Sequence, residues 1–314
     1  MDNPERIDKI GLVGLGFMGQ GISACLVAYG FDVTAYSRTA AREKEAVQHI
    51  ETILRNLVGR EIIAEFEIIE WRSRFRYTGK LENLGDCDFI IETVGEDTDL
   101  KKWVYQTLES VIGPEVILAT NTSGISVSSL QKFLTHPERF VGMHWAEPAE
   151  ITRYLEIAPG KGTTQKTLDT TYEIGKRCRK EPTVLKFELP GLISNRLMYA
   201  MMREAIHLVE SGVADIETVD RSFRNDIGWW ATMCGPFRWM DLTGLGTYAK
   251  VMEGLFPELC NSTDLPQLMK EKAASGDLFY DYSDHSIEEW MEAWSEFTHD
   301  IRDISTKYDK KVKL

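Results

Sequence analysis

Cysteine is scarce and scattered in this chain. The five present (Cys25, Cys87, Cys178, Cys234 and Cys260) form no Cys-x-x-Cys pair, so neither a disulfide framework nor a zinc site is expected. Long apolar runs are missing too; none approaches the ~18 consecutive residues that a bilayer crossing needs. The start, MDNPERID, lacks a basic segment followed by an apolar one, so no secretory signal is expected. The chain therefore reads as cytoplasmic and without a membrane partner. Positive charge is in deficit: 36 Lys and Arg stand against 49 Asp and Glu, a formal net charge of −13. Nucleic-acid binding draws on clustered cations to neutralise phosphates, so no nucleic-acid partner is expected. A polyanionic cofactor is not excluded, because a helix N-terminus and a few local cations suffice to hold one.

What is present suggests about two domains, given 314 residues of which 43% are hydrophobic. Residues 9–13 (KIGLV), 32–36 (DVTAY), 89–94 (FIIETV), 116–120 (VILAT) and 140–144 (FVGMH) are short apolar runs of the kind that form buried parallel strands. Helical patterns separate them, at 17–29, 40–58 and 99–111. Residues 59–80 are expected to continue as helix and then enter a strand. Strands alternating with helices argue for an α/β, doubly wound parallel sheet. After Glu188-Leu189-Pro190-Gly191 the character changes. Residues 192–210 read as one long helix that carries Leu197, Met201, Ala205, Leu208 and Val209 toward a core. Further helices follow without strand alternation. The boundary is expected near 188, with an α/β domain over 1–187 and an all-α domain over 188–314.

Gly14-Leu15-Gly16-Phe17-Met18-Gly19 is G-x-G-x-x-G between a predicted strand and a predicted helix. The first glycine permits a tight turn, the second lets backbone approach a pyrophosphate, and the third lets helix and strand pack closely. In that context the motif points to a nicotinamide dinucleotide, NAD or NADP, with Phe17 and Met18 beside it. At the end of the second strand, where an acid usually binds the ribose hydroxyls, the chain has Ser37-Arg38-Thr39. A serine followed by arginine removes the repulsion of a 2′-phosphate and offers a cation, which favours NADP. The alternative is an exposed loop arginine with NAD bound.

Asn121-Thr122-Ser123 follows a predicted strand and His144 ends the next one, so both fall on the carboxyl edge, where such sheets bind ligands. Twelve residues on, Glu156 sits in the apolar stretch Tyr154-Leu155-Glu156-Ile157. A carboxylate in such a setting needs a partner, and His144 is the natural one.

These pieces resemble the 3-hydroxyacyl-CoA dehydrogenase family over nearly the whole chain: GLGFMG, IIETVGEDTDLK, NTSG, GMHWAEP with LEI after its histidine, PGLISNRL, CGPFRWMDLTGL and a weaker SGDLFYDY. The resemblance implies a Rossmann-type domain followed by a helical domain that binds substrate and pairs two subunits, hence a homodimer. It implies His144 as general base, Glu156 as its orienting carboxylate, Ser123 as the substrate-oxygen hydrogen bond and Asn195 as an amide holding substrate and base. Cofactor contacts fall on Gly14, Gly16, Gly19, Glu96 and Lys101, and Asn121 joins them. The chemistry agrees. Imidazole titrates near neutrality and can take an alcohol proton while hydride leaves the carbon, and Ser123 and Asn195 can donate to the substrate oxygens.

The chain departs from the family after the histidine. It has Trp145-Ala146-Glu147-Pro148 where an aromatic-aromatic-Asn-Pro run is usual. Glu147 would disfavour an anionic substrate group or pair with a cationic one, unless Arg153 neutralises it, so both are candidate substrate contacts. Residues 149–153 are more polar than an acyl channel suggests. Arg60, Arg72, Arg74 and Arg76 are candidates for CoA phosphates, or else solvated charges. Trp229, Trp230 and Trp239 read as packing rather than as a pocket for a flat or cationic substrate. A 3-hydroxyacyl-CoA-like substrate leads; a small hydroxy acid, a hydroxyl-bearing cation and a pyridine alcohol or aldehyde stay open. A non-catalytic dinucleotide-binding protein is the competing class, and it has no use for a base with its orienting acid.

Overall fold

The computed structural model describes residues 7–312 (side chains at 66–68 and 312 excepted), and these form two compact units that divide between Leu192 and Ile193. The first unit holds one eight-stranded sheet in the order β3-β2-β1-β4-β5-β6-β7-β8. Its strands are β1 (Lys9–Val13), β2 (Asp32–Tyr36), β3 (Phe75–Thr78), β4 (Phe89–Glu92), β5 (Ile117–Thr120), β6 (Phe140–Trp145), β7 (Tyr154–Pro159) and β8 (Glu181–Val184). β4, β5 and β6 are buried at every residue, as continuous apolar runs covered on both faces should be. One core gathers α1 (Phe17–Ala28), α2 (Ala41–Gly59) and α6 (Gln165–Arg177) on the sheet, around Ile10, Leu12, Leu26, Ile50 and Leu54. The other lies under α4 (Thr98–Glu109) and α5 (Val127–Gln131), around Ile90, Val104, Tyr105 and Phe140.

Residues 59–80 divide into the end of α2, α3 (Glu65–Arg74) and β3. β7, β8 and α6 lie beyond the elements read from the sequence, and β7 breaks the parallel pattern. It pairs antiparallel with β6, His144 standing opposite Glu156. The connection over 146–153 is too short for a crossover of a dozen or more residues, so the chain returns as a hairpin.

The second unit is helical: α7 (Ser194–Glu210), α8 (Ile216–Asn225), α9 (Ile227–Thr243), α10 (Leu245–Leu255), α11 (Gln267–Ser275) and α12 (Ile287–Val312). α9 kinks at Gly235, whose φ of 68° precedes Pro236, a residue that cannot continue the hydrogen-bond ladder. Trp230 and Trp239 stack across that kink with ring centroids 5.7 Å apart. Among the described residues of this unit only His299 is buried. Leu197 is 61% exposed and Met201 is exposed, whereas Ala205, Leu208 and Val209 are half-buried, so the stripe expected to face a core is only partly covered by the described residues. No helix of the described residues is long and apolar enough to cross a membrane.

Candidate active site

The glycine turn is built for close approach. Gly14 has φ +113° and donates to the Tyr36 carbonyl at 2.9 Å, which ties the turn to the end of β2. A Cβ on Gly19 would lie 2.0 Å from the Gly14 carbonyl oxygen, so only glycine lets α1 pack there. A Cβ on Gly16 would meet nothing within 4 Å. That open space lies over the start of α1, which has no side-chain cap and no acid in its first turn. Uncapped N–H groups with room in front of them fit a pyrophosphate. Phe17 is exposed, whereas Met18 packs against the core.

Past β2, Ser37 is held by backbone bonds to Thr78 and from the Tyr77 hydroxyl, and its Oγ accepts from Thr39 N. No carboxylate occurs from 36 to 40, and Arg38 is exposed.

A second cluster forms where β4 and β5 end. Glu92, fully buried, accepts from Lys101 Nζ (2.8 and 2.9 Å), Tyr105 Oη (2.6 Å), Thr120 Oγ1 (2.8 Å) and Val94 N (2.6 Å). Burial, then the Glu92 charge, drives the Tyr105 phenol well above its usual range. Lys101 is 1% exposed and its ammonium is committed to Glu92, with Glu96 at 3.8 Å. The residue expected among the cofactor contacts therefore works from inside, behind Glu96. Glu96 itself gathers the loop after β5. Its carboxylate accepts from Thr122 Oγ1 (2.8 Å), Ser123 N (2.7 Å), Ser123 Oγ (3.3 Å) and Gly124 N (3.3 Å). Glu92 was not legible as a site residue; its only signal was an acid closing an apolar strand.

β5 and β6 run parallel, so Ser123 and His144 leave the sheet at the same edge. Asn121 Oδ1 accepts from Trp145 N at 2.8 Å and clamps that edge. His144 and Glu156 face each other across the β6–β7 hairpin, yet His144 Nδ1 and Glu156 Oε2 are 3.8 Å apart. Tyr154 fills the gap. Its Oη lies 2.8 Å from His144 Nδ1 and donates to Glu156 Oε2 at 2.6 Å. Tyr154 and Glu156 are two apart on one strand, so they share a face. The direct pair read from the sequence is thus a three-member chain, and Tyr154 is the member that sequence reasoning missed.

Glu147 sits just beyond β6. Burial, then the nearby Glu150 charge, pushes its carboxyl up to about 8. Oε2 of Glu147 and Oε2 of Glu150 are buried without a hydrogen-bond partner among the described residues. Arg153 does not neutralise Glu147: its guanidinium bonds Glu181 at 2.7 Å, because β7 and β8 run side by side there. Arg72 lies over the Trp71 ring and Arg74 pairs with Glu70. Asn195 occupies the first turn of α7, in the second unit. A cavity of about 800 Å³ lined by Tyr29, Glu61, Arg74 and Arg177 opens past the C-terminal end of α1, away from the glycine turn.

Residues 9–187 match the NAD binding domain of 3-hydroxyacyl-CoA dehydrogenase, and residues 191–282 match its C-terminal domain. The chain belongs to the 3-hydroxyacyl-CoA dehydrogenase family. It is accordingly an NAD(P)-dependent oxidoreductase acting on a CH–OH group. It is 34% identical over 276 residues, 86% of each chain, to 5-formyl-3-hydroxy-2-methylpyridine 4-carboxylate 5-dehydrogenase of Mesorhizobium japonicum. It is 32% identical over 284 residues to 3-hydroxybutyryl-CoA dehydrogenase of Bradyrhizobium diazoefficiens, 88% of this chain and 96% of that one. Among solved structures, an NAD+-dependent dismutase described as 5-formyl-3-hydroxy-2-methylpyridine 4-carboxylic acid 5-dehydrogenase superposes with a TM-score of 0.86 at 30% identity, covering 95% of this chain and 97% of that chain.

Proposed function

We propose that this dehydrogenase removes the alcohol proton with His144, held by Tyr154 and Glu156, while the substrate oxygen is bound by Ser123. The hydrogen-bonded chain from His144 to Glu156 carries the reading. With Nδ1–H directed at Tyr154 Oη, Nε2 is the free lone pair and takes the O–H proton. The positive charge that develops on the ring is balanced through the phenol by Glu156, a buried carboxylate. Glu96 fixes the Ser123 loop by accepting its backbone N–H, and Lys101, bound to Glu92, stands behind Glu96. The nicotinamide, when bound, supplies the two-electron acceptor for hydride. The turn at Gly14–Gly19 places the pyrophosphate, and Ser37, Arg38 and Asn121 line the same edge.

The family points first to a 3-hydroxyacyl-CoA. A second reading, a compact pyridine alcohol or aldehyde, is favoured by the pyridine dehydrogenase at TM-score 0.86 and by Glu147. A carboxyl that holds its proton up to about pH 8 is a neutral hydrogen-bond donor at neutral pH, well matched to a substrate carboxylate or phenolate. Nicotinamide absorbance would be followed with acetoacetyl-CoA and with pyridine-carboxylate aldehydes and alcohols. Turnover of the thioester alone would remove the second reading, and turnover of the pyridines alone the first. His144→Gln retaining near-wild-type turnover would remove the proposed base.

The exposed apolar residues of the helical unit, among them Leu197, Met201, Trp229 and Phe237, support pairing with a second copy of the chain. Sedimentation showing a monomer at working concentration would overturn the homodimer.

A further inference from the structure

The adenosine end of the dinucleotide site is unlike one made for NAD alone. In an open α/β sheet the residue just past the second strand stands beside the ribose, where a carboxylate bonds the 2′-hydroxyl and repels a 2′-phosphate. Here the Gly14 N–H to Tyr36 carbonyl bond locks that strand end against the glycine turn, and the next residue is Ser37. Arg38 follows, exposed and without an ion pair among the described residues. Its neighbour Arg42 is different, being committed to Glu45 at 2.8 Å. Ser37 is also well placed to serve as a binding residue. The Tyr77 hydroxyl donates to its carbonyl and Thr78 accepts its N–H, which leaves the side chain oriented by a fixed backbone. The site thus combines a missing acid, a hydroxyl and a guanidinium that has no ion pair to a carboxylate among the described residues, the fork that binds phosphate oxygens.

We propose that Ser37 and Arg38 form a 2′-phosphate site, so that this chain takes NADP(H) in preference to NAD(H). The inference rests on the dinucleotide reading of the glycine turn and refines it at the ribose.

The test is binding, independent of turnover. Calorimetry on the full chain compares 2′,5′-ADP with 5′-AMP, and fluorescence transfer compares NADPH with NADH. The expected result is a preference for the phosphorylated member of each pair of about tenfold or more, one charge-assisted phosphate contact's worth. Arg38→Ala collapses that ratio toward one, and Ser37→Asp inverts it; thermal unfolding confirms that both variants fold. Equal affinities in the unsubstituted protein, or a ratio that survives Arg38→Ala, overturn the 2′-phosphate site while the dehydrogenase reading stands. Failure of NADH and NADPH alike to bind overturns both.

Discussion

Tyr154 stands between His144 and Glu156, its hydroxyl 2.8 Å from the imidazole Nδ1 and donating to the Glu156 carboxylate at 2.6 Å. With His144 as the proposed base, the bond from imidazole to phenol becomes charge-assisted only when the ring takes a proton, so it is strongest in the transition state and least important in the resting enzyme.

Removal of that bond should therefore be read in kcat. A hydrogen bond to a charged group contributes about 1.5–3 kcal/mol, which corresponds to roughly ten- to a hundred-fold in rate. Tyr154→Phe is expected to lower kcat by that factor and to leave the KM for dinucleotide unchanged. The double variant with Glu156→Gln should be little worse than either single one, because members of one chain are not additive. Fully additive losses would show that Tyr154 and Glu156 act separately.

Gly19→Ala and Gly16→Ala should fail in different ways. The added methyl at 19 collides with the Gly14 carbonyl at 2.0 Å, so this variant is expected to unfold earlier in urea. At 16 the methyl enters open space, so stability should hold while dinucleotide affinity drops. Equal melting temperatures for the two variants would contradict this division.

Lys101→Met leaves Glu92 buried and stripped of its only counter-ion within 4 Å among the described residues. Breaking one side of a buried pair costs about 3–5 kcal/mol. Urea unfolding should register a loss of that order, and a change within experimental error would mean that Tyr105 and Thr120 satisfy Glu92 by themselves.

Glu147 sets a pH dependence. Its carboxyl goes from an ordinary 4.5 to about 8 in the folded protein. Between these values the folded state holds a proton that the unfolded state has lost, so stability is full below about pH 4.5 and declines as pH rises through about 8. Glu147→Gln removes the titrating group. The melting temperature of the variant minus that of the unsubstituted chain should grow steadily across this window; a constant difference would mean that the folded-state carboxyl titrates as it does in the unfolded chain.

The strands β1, β2, β4, β5 and β6 were legible because burial on both sheet faces writes them as apolar runs ended by turn residues. β7 and β8 were not. Glu156 interrupts one, and the other is a four-residue run, Glu-Pro-Thr-Val, without an apolar pattern. The partnership of His144 with Glu156 could be argued from the cost of burying a carboxylate, whereas Arg153 could not be assigned. Its partner, Glu181, lies 28 residues away on a neighbouring strand, and charge alone does not choose between Glu147 and Glu181.

By itself the sequence determined the Gly14–Gly19 turn and the strand–helix alternation, because local sterics and hydrophobic periodicity act over a few residues. Tertiary structure alone decided that Tyr154 joins His144 to Glu156, that Lys101 turns inward to Glu92, and that burial pushes the Glu147 carboxyl up. Each depends on distances across strands or on exclusion of water, and neither quantity exists until the sheet has closed over the site.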